Sequence, residues 1–213
     1  MLLCGRPGTG KTLTAESIAE RIHLPLYSVH SSELSNPNEP GANIETKLSE
    51  ILHRASHWNA VLLIDEADAF LEKRDLFDME RNQRVAIFLR LLELYSGVLI
   101  LTTNRRISFD PAFYSRIHLT LKFDDLDHSA RSSVWKNFLR SIPNNVHEGD
   151  IAKLAEAKLN GRQIKNLVKM GSLLAYSEKA TLCMEHLETM LETVDDIPEE
   201  EFIEPDEVPP VLE

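Results

Sequence analysis

The apolar residues of this 213-residue chain fall into two kinds of pattern. Short runs that are apolar at nearly every position alternate with longer stretches in which apolar residues recur every three or four positions. The first kind is typical of buried strands in a parallel sheet, and the second is typical of amphipathic helices. The runs predict strands over residues 1–4, 25–29, 60–64 and 98–101. The periodic stretches predict helices over residues 12–22, 44–55 and 76–95.

The pattern changes in the second half of the chain. Residues 117–123 alternate apolar and polar positions, which predicts a last strand at an edge of the sheet. Beyond that strand the periodicity is helical only, and it predicts helices from Asp127 or Ser129 to about 139, and over 151–159, 162–177 and 180–191. We therefore expect an α/β fold, with a parallel sheet covered by helices over residues 1–125 and a small all-helical lid over 126–191.

The formal charge is concentrated at one end of the chain. The net charge is −11, and residues 192–213 carry −10 of it because they include no Lys or Arg. Six acidic residues and two prolines between positions 199 and 209 predict a disordered tail. The rest of the chain is nearly neutral, so its charge gives no indication of nucleic-acid binding.

Cysteine usage and hydropathy bear on the compartment. The chain has two cysteines, Cys4 and Cys183, which do not make the pattern of a disulfide framework. This favours a reducing, intracellular compartment, with a soluble protein of the cytoplasm as the default interpretation. No apolar run reaches the ~18 residues that a membrane-spanning helix needs, so no membrane span is expected.

A glycine-rich segment separates the first predicted strand from the first predicted helix. Its sequence, Gly5-Arg6-Pro7-Gly8-Thr9-Gly10-Lys11-Thr12, fits the pattern G-x-x-x-x-G-K-[ST]. A strand, such a loop and a helix N-terminus point backbone N–H groups at bound phosphates, and Lys11 adds a full positive charge. The Thr12 hydroxyl is placed to ligate Mg²⁺. The segment therefore predicts a nucleotide site.

Polar side chains follow two of the buried strands. Residues 61–64 are apolar and lead directly into Asp65 and Glu66. Because ligands bind at the carboxyl ends of parallel strands, Asp65 is expected to help hold Mg²⁺. Glu66 can polarise a water for attack on the γ-phosphate. Asn104 ends the next strand and could bond that water or the phosphate, although a turn-forming asparagine is the alternative.

These segments resemble those of the AAA clade of the AAA+ ATPases, both in their order along the chain and in their approximate spacing. Besides residues 5–12, the matching segments are Leu63-Ile64-Asp65-Glu66-Ala67-Asp68, Thr102-Thr103-Asn104-Arg105 and Phe109-Asp110-Pro111-Ala112-Phe113-Tyr114-Ser115-Arg116-Ile117. In that family they are the Walker A, Walker B, sensor 1 and arginine-finger segments. Residues 160–167 are similar to the start of the sensor 2 helix. The resemblance covers roughly residues 1–175 and implies ATP and Mg²⁺ as ligands, and a homo-oligomer that forms a hexameric ring.

The resemblance also implies roles for single residues. The nucleotide-binding residues would be Gly5, Pro7, Gly8, Thr9, Gly10, Lys11, Thr12, Leu13, Asp65 and Arg162. Thr12 and Asp65 would be the metal ligands. Glu66 would activate the attacking water, and Asn104 would be the sensor.

Two arginine assignments rest on the resemblance alone. Arg116 is the candidate arginine finger that reaches the neighbouring subunit's site, with Arg105 and Arg106 in reserve. The family usually has two arginines here separated by a Pro-Gly pair, and this chain is shorter, so a surface arginine on the edge strand is the alternative. Arg162 would contact nucleotide from the lid, and a plain helix-start arginine is the alternative there.

The chain departs from the family pattern in two places. The loop at residues 35–41 has no aromatic residue before its glycine, so a grip on a threaded polypeptide is not supported. The family normally has a segment upstream of the first strand that helps form the adenine pocket, and this chain begins at that strand. We therefore expect a domain that lacks its upstream segment.

Two functions of different class remain open. The first is ATP hydrolysis coupled to remodelling of an unknown protein or other macromolecular target. The alternative is a nucleotide-dependent binding or scaffold module with little hydrolysis. A P-loop kinase fits poorly, because it does not explain Asp65 and Glu66 together with Asn104 and a helical lid.

Overall fold

The structure is a computed structural model, and it describes residues 1–34, 44–71, 73, 78–104 and 109–193. These residues form two compact units. Of the described residues, the first unit contains those within 1–6 and 10–123, and the second contains 7–9 and 124–193. The predicted acidic tail lies outside the described residues from position 194.

The first unit is built on a parallel sheet. Its strands are β1 (Leu2–Gly5), β2 (Leu26–His30), β3 (Val61–Asp65), β4 (Leu99–Thr103) and β5 (Thr120–Phe123). Across the described ranges these strands lie in the order β2-β3-β4-β1-β5, and all neighbours are parallel. β1 is buried throughout, and β3 is buried up to its last residue, which explains their continuous apolar runs.

Helices cover both faces of this sheet. They are α1 (Lys11–Arg21), α2 (Ser31–Leu34), α3 (Ile44–His57), α4 (Asp68–Leu71), α5 (Met79–Leu94) and α6 (Pro111–Tyr114). Successive strand residues point to opposite faces, so Leu62 and Ile64 share one core with α3 and α5. Val61 and Leu63 share the other with α1. The predicted α/β fold class is confirmed.

The edge strand β5 is shorter than the sequence pattern predicted. The strand was expected from residue 117, but it begins at Thr120. The backbone N–H groups of Arg116 and Ile117 both donate to the Phe113 carbonyl at 2.9 Å, so the chain is still turning there. The preceding helix α6 was not predicted, although Asp110 caps it and Pro111 occupies its first turn.

The second unit is helical, as expected. Its helices are α7 (His128–Arg140), α8 (Glu148–Leu154), α9 (Gly161–Ser177) and α10 (Met184–Glu192). They enclose a core of their own around Trp135, which is fully buried. Asp127 caps α7 by accepting a hydrogen bond from the Ala130 N–H at 2.7 Å.

Two helices of this unit differ from the predicted ranges for local reasons. α8 starts before residue 151 because the His147 N–H donates to Asp150 Oδ2 at 3.0 Å and caps the helix early. α10 starts after residue 180 because the Asn145 N–H donates to the Leu182 carbonyl at 2.8 Å and holds that segment outside the helix. Within the described ranges, no helix is long and apolar enough to cross a lipid bilayer.

Candidate functional site

The glycine loop starts at the end of β1 and finishes at the start of α1. Gly5 is required by a close approach, because a Cβ there would lie 2.3 Å from the Phe123 carbonyl oxygen of β5. Gly10 precedes α1 with φ 102°, a left-handed conformation that side chains disfavour. An added Cβ at Gly10 would meet nothing within 4 Å, so the backbone conformation alone favours glycine there.

Lys11 is the first residue of α1, and only 6% of it is exposed. Its ammonium group donates to the carbonyls of Gly5 and Arg6, both at 2.8 Å. The loop therefore holds a full positive charge at the helix N-terminus, where partial positive charge already favours phosphate. Leu13, in the same turn, is 63% exposed.

A hydroxyl and a carboxylate lie side by side next to this loop. Thr12 Oγ1 is 3.4 and 3.5 Å from the two carboxylate oxygens of Asp65, the last residue of β3. The Thr102 hydroxyl from β4 donates to Asp65 and accepts the Glu66 N–H at 3.0 Å, which fixes the carboxylate. The structure thus brings the two expected metal ligands together.

The donor set suits magnesium. Mg²⁺ prefers hard oxygen ligands and is usually held by one or two carboxylates together with substrate phosphates. In the part of the chain that the structure describes, no group of three or more His, Cys, Asp or Glu side chains could hold a metal. One hydroxyl and one carboxylate beside a phosphate loop fit the kind of magnesium site that phosphates complete.

The Glu66 carboxylate is held by two neighbouring strands. Glu66 follows β3 with φ 55°, a left-handed conformation that is uncommon for a non-glycine residue. Asn104, which follows β4, donates from Nδ2 to Glu66 Oε1 at 3.2 Å. His30 Nε2, from the end of β2, lies 3.0 Å from Glu66 Oε2. Both oxygens of the carboxylate therefore have a partner.

His30 is the residue that sequence reasoning missed. Its Nδ1 accepts a hydrogen bond from the Ser32 N–H at 3.3 Å and lies 2.8 Å from Ser32 Oγ. Because Nδ1 is an acceptor, the ring hydrogen is on Nε2, which donates to Glu66. In the sequence, His30 is only a polar residue that follows the second predicted strand. The β2–β3 register pairs it with Asp65 and so places it next to Glu66.

Arg116 lies between α6 and β5 and bonds within the first unit. Its Nε donates to Glu93 Oε1 at 2.9 Å, and Nη2 donates to the same oxygen. Nη1 donates to the Ala112 carbonyl at 2.7 Å and to Ser115 Oγ at 3.3 Å. None of these partners belongs to the glycine loop or to the Asp65–Glu66 segment.

The remaining candidate residues are placed as follows. Arg162 is an exposed residue in the first turn of α9, a helix capped by Asn160. Pro7, Gly8 and Thr9 are grouped with the second unit, and Gly8 has a left-handed backbone with φ 76°. Arg105, Arg106 and the loop at residues 35–41 lie outside the described residues.

Comparison with known proteins agrees with this geometry. The family described as "ATPase family associated with various cellular activities (AAA)" matches residues 1–125. The chain is 30% identical over 167 residues to ATPase family gene 2 protein of Schizosaccharomyces pombe, across 73% of this chain and 20% of that protein. It is 29% identical over 200 residues to Fidgetin-like protein 1 of Drosophila melanogaster, across 89% and 38%.

A third relative is also similar to most of this chain over part of its own length. The 26S proteasome regulatory subunit 4 homolog of Schizosaccharomyces pombe is 28% identical over 195 residues, which cover 84% of this chain and 42% of that protein. The chain therefore spans between 20% and 42% of the length of these three relatives. Because the family match covers more than half of the chain and includes the glycine loop, Asp65, Glu66 and Asn104, this protein belongs to the AAA family of ATPases.

Proposed function

We propose that this protein hydrolyses ATP at the site formed by the glycine loop and the carboxyl ends of β3 and β4, and uses the energy to remodel a macromolecular target. The observation that carries the proposal is the arrangement around Glu66. Its carboxylate has a donor at each oxygen, and it directly follows Asp65, which lies beside Thr12. AAA ATPases use ATP, typically with Mg²⁺.

The phosphates and the metal would be held by different residues of the site. The amides of residues 5–13 and the Lys11 ammonium would bind the phosphates. Thr12 and Asp65 would hold Mg²⁺, which offsets phosphate charge when it is bound. The Thr102 hydroxyl keeps Asp65 in place for this role, because it bonds both Asp65 and the Glu66 backbone.

Glu66 would act on the attacking water. An ionised carboxylate accepts a proton from water as the oxygen attacks, and it must point in one direction to do so. Asn104 and His30 each hold one oxygen of Glu66, at 3.2 and 3.0 Å. We propose that Asn104 also senses the γ-phosphate, because its amide lies at the same edge of the sheet.

The site would be completed by a second copy of the chain. AAA family members generally form oligomeric rings, and we propose a homohexamer in which Arg116 acts at the neighbour's site. An arginine supplied in trans can raise the hydrolysis rate by ~10³–10⁵. To do so, Arg116 must exchange its bonds with Glu93 and the Ala112 carbonyl for bonds to phosphate.

The internal partners of Arg116 also favour a second candidate function. If the guanidinium stays on Glu93, hydrolysis lacks its trans arginine and is slow. The protein would then be a nucleotide-dependent binding or scaffold module, in which ATP governs docking of a partner. The two candidates differ in turnover, and they share the nucleotide site.

The first experiment measures phosphate release and nucleotide binding on the same purified proteins. We expect the native protein to turn over ATP with Mg²⁺, Glu66→Gln to bind ATP without turnover, and Lys11→Ala to lose binding. Equal phosphate release by the native protein and by Glu66→Gln would contradict hydrolysis at this site. Tight binding with no turnover by the native protein would support the binding module instead.

The second experiment tests Arg116 by mixing inactive variants. Arg116→Ala keeps its own Glu66, and Glu66→Gln keeps its Arg116, so a mixed ring contains sites with both groups. We expect each variant alone to be inactive and the mixture to regain phosphate release. The matched control mixes Glu66→Gln with Lys11→Ala, because no site in that mixture has both a phosphate ligand and a water activator. No recovery in the first mixture would contradict a role of Arg116 in trans.

A further inference from the structure

A cysteine, a histidine and a glutamate are aligned in the second unit. Cys183 immediately precedes α10, and its Sγ lies 2.9 Å from His186 Nδ1. On the other side of the ring, His186 Nε2 lies 3.2 Å from Oε2 of Glu178, the residue that follows α9. A nucleophile next to a base, with the base oriented by a third group, is the arrangement that activates side chains for attack.

The backbone determines which ring nitrogen of His186 carries the hydrogen. The Cys183 N–H donates to Nδ1 at 3.0 Å, so Nδ1 is an acceptor and the hydrogen is on Nε2. Nε2 then donates to the Glu178 carboxylate. In this tautomer the single lone pair of Nδ1 is shared between the Cys183 N–H and the Cys183 thiol. Transfer of the thiol proton to Nδ1 therefore replaces the bond from the N–H.

Burial keeps the histidine in this orientation. His186 is only 6% exposed, and the next residue, Leu187, is buried in the core of the second unit. The side chain of Glu178 is 55% exposed, so the carboxylate reaches the ring from the surface. α10 has a capping box, in which the Cys183 side chain accepts from the His186 backbone N–H and the Cys183 N–H donates to Nδ1. The carboxylate behind Nε2 is not part of that cap.

We propose that Cys183 is an activated thiol that His186 deprotonates and that forms mixed disulfides with small disulfide compounds. In the reaction, the S–H bond of Cys183 breaks and its proton passes to His186 Nδ1. The Cys183 sulfur bonds to one sulfur of the disulfide and is oxidised. The other sulfur leaves as a thiolate, is reduced, and takes the proton. Glu178 stabilises the positive charge that His186 carries during the exchange.

The chain contains its own comparison thiol. Cys4 lies in the buried strand β1, and burial raises its pKa to about 11, against the opposing influence of Lys122 and Lys11. The thiolate is the nucleophile in disulfide exchange, so Cys4 is expected to react slowly. Cys183 is partly exposed and has a base beside it. The two cysteines of the chain therefore differ in both access and activation.

The experiment measures thiol exchange with 5,5′-dithiobis(2-nitrobenzoate) on the full chain, and mass spectrometry assigns the labelled cysteine. We expect one fast reaction at Cys183, which Cys183→Ser removes. His186→Asn should slow it by about 10²-fold, and Glu178→Gln by roughly tenfold, since the first removes the base and the second its orienting charge. Labelling of Cys4 before Cys183 would overturn the proposal.

Controls separate activation from a change in folding. Glu185→Gln removes a neighbouring carboxylate of α10 and should leave the rate unchanged. In a Trp58→Phe background, emission from the buried Trp135 reports whether the second unit of each variant is folded. In concentrated denaturant, the native chain and Glu178→Gln should react at the same rate. Equal rates for these two proteins in the folded state would overturn the role of Glu178, and with it the aligned triad.

Discussion

The candidate site depends on how one carboxylate is held. Glu66 adopts φ 55°, which costs free energy for a residue with a side chain, and neighbouring strands supply a donor to each of its oxygens. The donor from β2 is His30, whose ring is fixed by Ser32. The position of this carboxylate is therefore set by residues from three strands that lie side by side.

A substitution at His30 tests this arrangement. We expect His30→Ala to lower kcat for ATP hydrolysis by roughly tenfold, because Glu66 loses one of its two donors. The KM for ATP should hardly change, because Ser32 and Glu66, the partners of the His30 ring, lie outside the glycine loop. His30→Asn supplies an amide donor and should recover part of the rate. A rise in KM with unchanged kcat would show that His30 acts on binding and not on Glu66.

The amino group of Met1 predicts a dependence of stability on pH. It donates to the Leu99 carbonyl at 2.8 Å, and burial lowers its pKa from the ordinary value of 8.0. The unfolded chain then binds more protons than the folded one, so the free energy of unfolding rises as pH increases towards 8. We expect urea midpoints to increase over this range for a chain that begins at Met1. Acetylation of the amino group should remove that increase, and a decrease would contradict the assignment.

Apolar patterns predict the long helices and strands well and the short ones poorly. The central strands and α9 lie within about two residues of the predicted ranges. Burial of a strand on both faces gives a continuous apolar run, and burial of a helix along one side gives apolar residues every three or four positions. The four-residue helices α2, α4 and α6 are too short to show a period. Their ends are decided by caps such as Asp110, which a periodic pattern does not include.

The cap of α7 predicts how much one side chain contributes to the stability of the second unit. Asp127 Oδ1 accepts from the Ala130 N–H, so its removal leaves an N–H of the first turn without that bond. We expect Asp127→Ala to lower the free energy of unfolding by about 1 kcal/mol in urea titrations that follow Trp135 emission in a Trp58→Phe background. Asp127→Asn keeps the acceptor and should lose much less. Equal losses in both variants would mean that charge, and not capping, is responsible.

The order of the strands explains contacts of the candidate site that the sequence pattern does not show. Thr12 lies beside Asp65, and Asn104 lies beside Glu66. Both are consistent with the rule that the carboxyl ends of parallel strands meet at one edge of the sheet. His30 could not be predicted, because nothing in the local pattern says that β2 lies beside β3. The bond between Glu93 and Arg116 joins exposed charges that are far apart in sequence, so no periodicity indicates it.

The described residues form separate hydrophobic cores. The cluster around Trp135 in the second unit shares no residue with the clusters on the two faces of the sheet. A unit with its own core can unfold by itself. The two tryptophans are divided between the units, because Trp58 lies in the first and Trp135 in the second.

This division predicts unfolding in more than one step. In Trp58→Phe, fluorescence reports the second unit alone, whereas far-UV circular dichroism reports the secondary structure of both. We expect the two signals to have different urea midpoints. Coincident transitions by both probes, in the native protein and in the variant, would show that the units unfold together.

The order of strands also leaves β2 and β5 at the two edges of the described sheet. An edge strand presents free backbone groups that can pair with another molecule, which is a common route to aggregation. β5 has only four residues, and two of them, Thr120 and Lys122, are exposed. A short edge that carries a lysine is a poor template for strand addition. Lys122 should therefore keep the protein dispersed at high concentration, and Lys122→Val should increase light scattering without changing the fold.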